Sequence, residues 1–479
     1  MACVPAQCAT GWLPLGTGTN DQVRAAVRMP NGDLVVSGSF TTAGGLAANR
    51  IARWDGVAWS PIGLGMNATV HALAVLDSGD LVAAGDFTMA GGAVASHIAR
   101  WDGASWWPLG TGVNNPVYAL TTLPNGDLIA GGGFVVAGGV SANFIARWNG
   151  ANWSAMGSGL NSVVYALTTR SDGQVVVGGN FTLAGGVSAS RVARWDGAAW
   201  WPLGSGMNSW VSVLSSLANG DIVAGGVFTS AGGPGTSYIA RWNGTNWSSL
   251  GGPMNNYCTA MTTLPDGDLV AGGFFTVAGG QPANRVARWN GSTWTTFGAG
   301  VDNYVNALAR MANDDVAVGG NFALAGALAA PGIAALTTTC PAAVAPHLLG
   351  CASSGGSNTL VATTLPWIDA TFRATGTGLP SPAFVLAVTS LTPIPQGVVP
   401  LDTVFAEGIP GCDALVAPDV LELLISTTGT VQSQLFLTNT PPLVGMNFYH
   451  QMVPIEVDAN LAFVAVTATN SLQLTAGMF

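Results

Sequence analysis

Residues 117–157 read VYALTTLPNGDLIAGGGFVVAGGVSANFIARWNGANWSAMG. Asn125-Gly126 separates a short apolar run from Asp127-Leu-Ile-Ala-Gly, and Asn149-Gly150 separates Ile-Ala-Arg-Trp from Asn152-Trp-Ser-Ala-Met. Asn-Gly tolerates the positive φ of a tight hairpin turn, so each pair marks a hairpin. The stretch predicts four short strands: a (VxALxxL), b (DLVxGG), c (IARW) and d (WxPLG). No 3.6-residue period runs through it, and glycine this dense disfavours helix.

The stretch recurs at one interval. Trp12, Trp59, Trp106, Trp153, Trp200, Trp247 and Trp294 are spaced by 47 residues, as are Trp54, Trp101, Trp148, Trp195, Trp242 and Trp289. Phe40, Phe87, Phe134, Phe181, Phe228, Phe275 and Phe322 keep the same step. Units of this length cannot bury their own apolar face and stack on one another. Seven copies of strand b, at Leu34, Leu81, Leu128, Val175, Ile222, Leu269 and Val316, predict seven four-stranded blades. The chain opens on a lone strand d, Trp12-Leu-Pro-Leu-Gly, and leaves the repeats near Leu336 after a, b and c. The expected fold is therefore all-β: a closed seven-bladed β-propeller over residues 9–338, its last blade completed by the N-terminus, with a β-sandwich-like domain over 345–479.

The 47-residue step puts Cys8 where other copies carry Asp55, and Cys340 lies four residues beyond Leu336. Both fall beside the turn missing at the junction. The expectation is a Cys8–Cys340 disulfide; the alternative is two unpaired buried thiols. Cys351 and Cys412 are expected to pair within the tail. Cys258 replaces the valine of strand a and reads as a buried free thiol.

Ile129-Ala-Gly131-Gly132 followed by Trp148 and Trp153 resembles the kelch-like branch of seven-bladed propellers. The repeat is also similar to FTxAGGxxAxxIARWDGxxW units of secreted bacterial proteins. The resemblance implies the fold. The kelch-like group contains galactose-oxidase-like enzymes, but their copper centre needs a tyrosine–histidine–cysteine set, and the propeller region here has only His71 and His97. No oxidase activity transfers. In the tail, LPWIDATFRATGTGLP, GCDALVAPD, LVGMNFYHQ and ATNSLQLTAGMF resemble the carboxy-terminal domains of Planctomycetes-type secreted proteins, which implies an accessory or surface-retention role.

The chain has 14 basic residues against 24 acidic, all 14 being arginine, for a net charge of -10. Nucleic acid and anionic membranes are therefore not expected as partners. No apolar run reaches membrane-spanning length, and no secretion signal precedes Cys3, which fits a mature form with an added Met. Six cysteines, no lysine and turns rich in Gly, Thr, Ser and Asn point to an extracellular or cell-surface protein.

The tail, without any 47-residue echo, carries strand-like runs at Asn358–Thr363, Asp369–Ala374, Ala383–Thr389, Val431–Leu437, Met446–Pro454, Leu461–Thr467 and Ser471–Thr475. His450 sits in an apolar segment and reads as a packed or edge residue.

HExxH, CxxC, Walker and GxSxG motifs are all missing from the sequence, and neither metal nor cofactor is expected. The strand-c arginines, Arg53, Arg100, Arg147, Arg194, Arg241 and Arg288, are fixed in the repeat and read as structural. Asn20, Asn67, Asn114, Asn161, Asn208, Asn255 and Asp302 recur in the d–a loops. They could ring the channel or bind a cation; the other reading has each capping its own loop.

Variation is concentrated around the first valine of strand a. Before it stand Gln22, Thr69, Pro116, Val163, Trp210, Tyr257 and Tyr304; after it stand Arg24, His71, Tyr118, Tyr165, Ser212, Thr259 and Asn306. Strand a should be innermost, so these residues rim the central channel. Arg24, His71, Tyr118, Tyr165, Trp210, Tyr257 and Tyr304 are the candidate ligand-binding set; the competing reading is that they fill a crowded channel mouth. The expected function is non-enzymatic binding or surface structure, with a glycan or a surface protein as partner. The alternative is a secreted glycan-active hydrolase or lyase with its site at the channel mouth.

Overall fold

The computed structural model describes residues 11–337 continuously and, beyond them, residues 379 and 430 and the strands lying between 343 and 475. The chain divides into two compact units, one of which is Gly11–Thr338.

That unit holds seven four-stranded antiparallel sheets. In blade one the strands are Val23–Arg28 (a), Leu34–Gly38 (b), Ile51–Trp54 (c) and Trp59–Pro61 (d). Strand b lies inside the sheet and is packed on both faces, so all five of its residues are buried in every blade. This explains why b reads as a continuous apolar run rather than an alternating one. In six blades the b–c loop carries a small hairpin of its own, such as Val136–Ala137 against Val140–Ser141; blade five has none.

Blade seven takes a, b and c from Val305–Arg310, Val316–Gly320 and Ile333–Leu336, and its fourth strand from Trp12–Pro14, with Trp12 opposite Leu336. Gly11 and Thr337 add two hydrogen bonds through the threonine hydroxyl, at 2.7 and 2.9 Å. Strand a of blade one packs on strand a of blade seven, as every other neighbouring pair does.

The expectation of a closed architecture needs correction. Among the described residues no sheet is closed: each blade is an open ladder ending at its own strands a and d. Neighbouring blades meet face to face, and no strand ladder runs from one to the next. Side chains make the junctions, together with backbone bonds between each d–a loop and the b–c loops on either side, as from Met66 to Asn49 at 3.1 Å and from Gly91 to Gly65 at 2.8 Å.

The strand-d tryptophans bind each junction. The indole N–H of Trp59 donates to the carbonyl of Leu15 in the preceding blade at 2.8 Å. Trp106, Trp153, Trp200, Trp247 and Trp294 do the same to Ile62, Leu109, Met156, Leu203 and Leu250, at 2.6–3.1 Å. Trp12 donates to Phe297 at 3.2 Å. All seven rings are buried, and indole has a donor but no acceptor, so one carbonyl satisfies each. In six blades the strand-c tryptophan tilts against the strand-d ring, as in Trp148–Trp153 at 5.3 Å; blade seven has Leu336 there. Gly138, at φ 60°, presses on the Cβ and ring of Trp153, where an added methyl would collide.

The strand-c arginines brace the opposite face. Arg100, Arg147, Arg241 and Arg288 reach Asp80, Asp127, Asp221 and Asp268 at 2.6–2.7 Å, and Arg53 reaches Asp33 at 3.3 Å. Blade four has Gln174 instead of an acid, and Arg194 binds it at 2.7 Å. These pairs tie strand c to the a–b turn.

Each run read as a strand in the tail overlaps one; Val431–Leu437 and Ser471–Thr475 have the same bounds, while Ala370–Thr377, Ala383–Ser390 and Asn447–Val457 extend beyond theirs. Ala343–Leu348 and Val420–Ser426 are further strands. A six-stranded and a three-stranded sheet result, with two short hairpins. His450 is buried, its Nε2 2.7 Å from the Ser433 hydroxyl.

The expected disulfides are also corrected. Among the described residues there is no cysteine pair, and Cys258 is a buried free thiol whose pKa burial pushes up to about 12. Cys8, Cys340, Cys351 and Cys412 lie outside the described residues.

Replacing Trp153 by Phe keeps the ring but removes the N–H, leaving the Leu109 carbonyl unpaired at a buried junction. A stability loss of about 1–2 kcal/mol is expected from denaturant unfolding. Trp201→Phe, on a half-exposed ring, is expected to cost about half a kcal/mol or less. Equal losses would contradict the junction role.

Candidate functional site

Strand a pairs with b everywhere except at one residue. In each blade the register slips between the first and third residues of a: Val23/Ala25, Val70/Ala72, Val117/Ala119, Val164/Ala166, Val211/Val213, Cys258/Ala260 and Val305/Ala307. The unpaired residues are Arg24, His71, Tyr118, Tyr165, Ser212, Thr259 and Asn306. A bulge turns its extra side chain away from the ladder. Here the repeat builds seven bulges and aims all seven residues at the channel.

The last glycine of strand b makes the bulge possible. Gly38 lies against the carbonyl of Gln22, and an added methyl would overlap that oxygen. The same holds for Gly85, Gly132, Gly179, Gly226, Gly273 and Gly320. The carbonyl is engaged by the next backbone N–H, as from Gly133 to Pro116 at 2.9 Å.

All seven bulge residues, with Trp210 and Val227, line one cavity of about 340 Å³ at the channel mouth. Its asymmetry follows from side-chain size. On blades two to five, rings run in series: His71–Tyr118 at 5.1 Å, Tyr118–Tyr165 at 5.6 Å and Tyr165–Trp210 at 5.7 Å. On blades five to seven the bulge residues are small. Thr259 turns its hydroxyl to the Val305 carbonyl at 2.6 Å, and the Asn306 amide sits 3.5 Å from Gln22 and Val23. Space is left beside the aromatic wall, and Trp210 is 45% exposed over it.

The structure thus brings together five of the seven expected residues: Arg24, His71, Tyr118, Tyr165 and Trp210. Tyr257 and Tyr304 fall outside this cavity. They form a second aromatic cluster, with Tyr257 packed on Tyr238 and Phe274, and Phe274 stacked on Tyr304 at 4.4 Å and 14°.

Sequence reasoning missed the residue between Gly and Phe at the end of strand b: Ser39, Asp86, Gly133, Asn180, Val227, Phe274 and Asn321. It varies while both flanking residues hold, the same signal that marked the bulge. It supplies Val227 to the cavity, Asp86 to His71 and Phe274 to the second aromatic cluster. A second unforeseen set, Arg50, His97, Phe144, Arg191, Tyr238 and Arg285, takes φ of 65–70° before strand c, where blade seven has Gly332. Their backbone N–H groups donate to the phenylalanine ten residues before, as Phe144 does to Phe134 at 2.7 Å.

The recurrent d–a asparagines neither ring this cavity nor cap their own loops. Asn20 Oδ1 accepts the N–H groups of Thr41 and Thr42 in the b–c loop at 2.8 and 2.9 Å. Its six counterparts, Asp302 included, do the same at 2.8–3.1 Å. The task is a backbone one, performed across two loops.

His71 Nε2 lies 2.9 Å from Asp86. Burial lowers the His71 pKa below its ordinary value, against the pull of Asp86, and Arg24 lowers it further. Burial likewise raises the Tyr118 and Tyr165 phenols. A larger cavity, about 560 Å³, opens on the opposite face between blades one and two. Of its acids, Asp33 and Asp80 are paired with Arg53 and Arg100, and Asp102 accepts from the Trp107 indole at 2.7 Å. Among the described residues no cluster of three His, Cys, Asp or Glu could hold a metal ion, and no helix is long and apolar enough to cross a membrane.

A family model described as the Rax2 C-terminal beta propeller domain matches residues 13–163. A second, a beta-propeller domain of unknown function (DUF5122), matches 170–195, 217–248 and 264–291. No curated protein matches the chain. Among solved structures, the chain is similar to the WD40 beta propeller domain of Doa1, at 15% identity and a TM-score of 0.48, over 69% of this chain and 97% of that one. It is also similar to the extracellular domain of BT4673 from B. thetaiotaomicron, at 12% and 13% identity, with TM-scores of 0.44 and 0.46 in two structures. The alignments cover 98% and 96% of this chain but only 58% and 59% of those.

The His71 environment can be read in solution. Its imidazole titration, followed by NMR, is expected to have a midpoint below 6.5. Asp86→Asn should lower it further, and Arg24→Gln should raise it. Because the folded value is depressed, any stability cost is absent above pH 6.5 and grows as pH falls through the folded value. A midpoint above 6.5, or shifts of the same sign in both variants, would contradict this arrangement.

Proposed function

We propose that the protein is an extracellular, non-enzymatic binding module that takes a glycan at the channel mouth. In this reading the repeats are a kelch-like propeller, and the C-terminal unit is an accessory domain of the kind found in secreted bacterial proteins, serving attachment or export. Variation within an otherwise repeated framework carries the proposal. Seven bulges are built alike, yet their seven side chains differ and converge on one cavity.

The chemistry of the lining supports a sugar. Tyr118, Tyr165 and Trp210 offer ring faces to the apolar side of a pyranose, and Ser212, Thr259 and Asn306 offer polar groups opposite. About 340 Å³ lies at the small end of ligand pockets, suited to one or two sugar rings rather than a folded partner. Trp210, half exposed and backed by Tyr165, is a platform fixed before a ligand arrives.

The test is a glycan and polysaccharide array with the full chain, repeated with Tyr165→Ala and Trp210→Ala, while assaying for released sugar. Binding to a defined glycan class is expected. Each variant should weaken it about tenfold or more, as for a central aromatic anchor, with the melting curve preserved. Unchanged affinity in both would remove the mouth as the site. Sugar release by the wild type would replace a binding module with an enzyme.

A further inference from the structure

The glycan reading leaves open what kind of sugar the mouth selects, and the charges around it narrow that choice. Arg24 lines the cavity, and its Nε is buried with no hydrogen-bond partner. That is unusual in this molecule. The strand-c arginines reach a carboxylate or Gln174, and Arg50, Arg191 and Arg285 donate to backbone carbonyls. Arg170 holds Asp172 and the Gly220 carbonyl, and Arg310 pairs with Asp314. Among the described residues Arg28 has none either, but it is exposed at the end of strand a, whereas Arg24 lines the cavity without such a partner.

The acid beside His71 is already engaged. Asp86 is in contact with His71 Nε2 at 2.9 Å, and no carboxylate lines the cavity. The Asn306 amide, on the other side of strand a of blade one, faces Gln22 and the Val23 carbonyl. Arg24 therefore brings one unshared positive charge into a partly desolvated cavity with aromatic walls. A guanidinium so placed is costly without an anion, and its planar fork matches a carboxylate.

We propose that the mouth recognises an acidic sugar, a uronic-acid residue of a glycan whose carboxylate is held by Arg24 while its ring lies against Tyr165 and Trp210. This rests on the glycan reading above and specifies it. A single carboxylate suits the site better than a sulfate or phosphate. The cavity offers one free cation, with His71 occupied by Asp86, and a planar carboxylate matches its fork. The exposed Trp210 at the rim leaves room for a chain to continue, so an oligosaccharide end or internal unit can enter.

The experiment uses calorimetry of the full chain with galacturonate, glucuronate and mannuronate oligosaccharides, each compared with its methyl ester. The ester keeps the ring and removes the charge. At least one acid is expected to bind tenfold or more tightly than its ester, with the difference shrinking as salt rises. Arg24→Gln, which breaks no hydrogen bond of the fold, should abolish that preference while leaving weak binding to both forms. Trp210→Ala should weaken both forms alike. Equal affinity for acid and ester, or a preference surviving in Arg24→Gln, would overturn the assignment of Arg24 while the glycan reading stands. A neutral glycan bound in a Trp210-dependent way, with no acid bound, has the same consequence. No glycan bound by the wild type would overturn both.

Discussion

A buried indole N–H must find an acceptor, and in this protein each strand-d tryptophan finds one in the neighbouring blade. That constraint organises the rest. The donor lies on strand d of one blade and the acceptor just after strand d of the blade before it. Each bond therefore spans 44 residues, repeated around six junctions, with Trp12 to Phe297 serving the seventh. The acceptor lies three residues after the preceding blade's tryptophan, so the 44-residue bond keeps step with the 47-residue period. Glycines such as Gly138, where even a methyl would strike the ring, belong to the same requirement. With strand b buried in every blade and the arginine–acid pairs bracing the other face, little of the repeat is free to change.

What is free to change gathers at the channel. The bulge releases one residue of strand a from pairing, so its side chain can vary without disturbing a ladder. The residue between Gly and Phe on strand b and the residue before the first valine of a share that freedom. Blades one to four place Arg, His, Tyr and Tyr at the bulge, and blades five to seven place Ser, Thr and Asn. The cavity is the result of that inequality: large side chains make a wall, and small ones make the space.

The blade count, the strand boundaries and the origin of the last blade's outer strand were legible because each depends on residues recurring at one step. So was the ring of residues after the valine, as variation against a constant background. The bulge itself was not, because it exists only in the pairing of a with b. Asp86 was overlooked for a related reason: a lone acid between Gly85 and Phe87 means little until His71 is seen 2.9 Å away. Tyr257 and Tyr304 looked equivalent to Trp210, but Phe274, unique to blade six, draws them into a separate stack. The asparagines were read as local because an Asx bond needs no distant partner. Their true partners lie 21 and 22 residues on, at the foot of another loop. The expected closure failed on a different point, since no strand ladder runs from one blade to the next.

The central claim is that framework and site are separable: the indole junctions carry the fold, and the bulge residues carry the ligand. It is tested most directly by one chain in which Arg24, His71, Tyr118, Tyr165, Thr259 and Asn306 are all replaced by serine, the residue blade five already has at Ser212. Thermal unfolding of this chain, followed by circular dichroism, is the measurement. A folded β-protein with a cooperative transition within several degrees of the wild type is the expected result. A chain that fails to fold, or melts tens of degrees lower, would mean that these side chains hold the channel together and that the mouth is packing rather than a site.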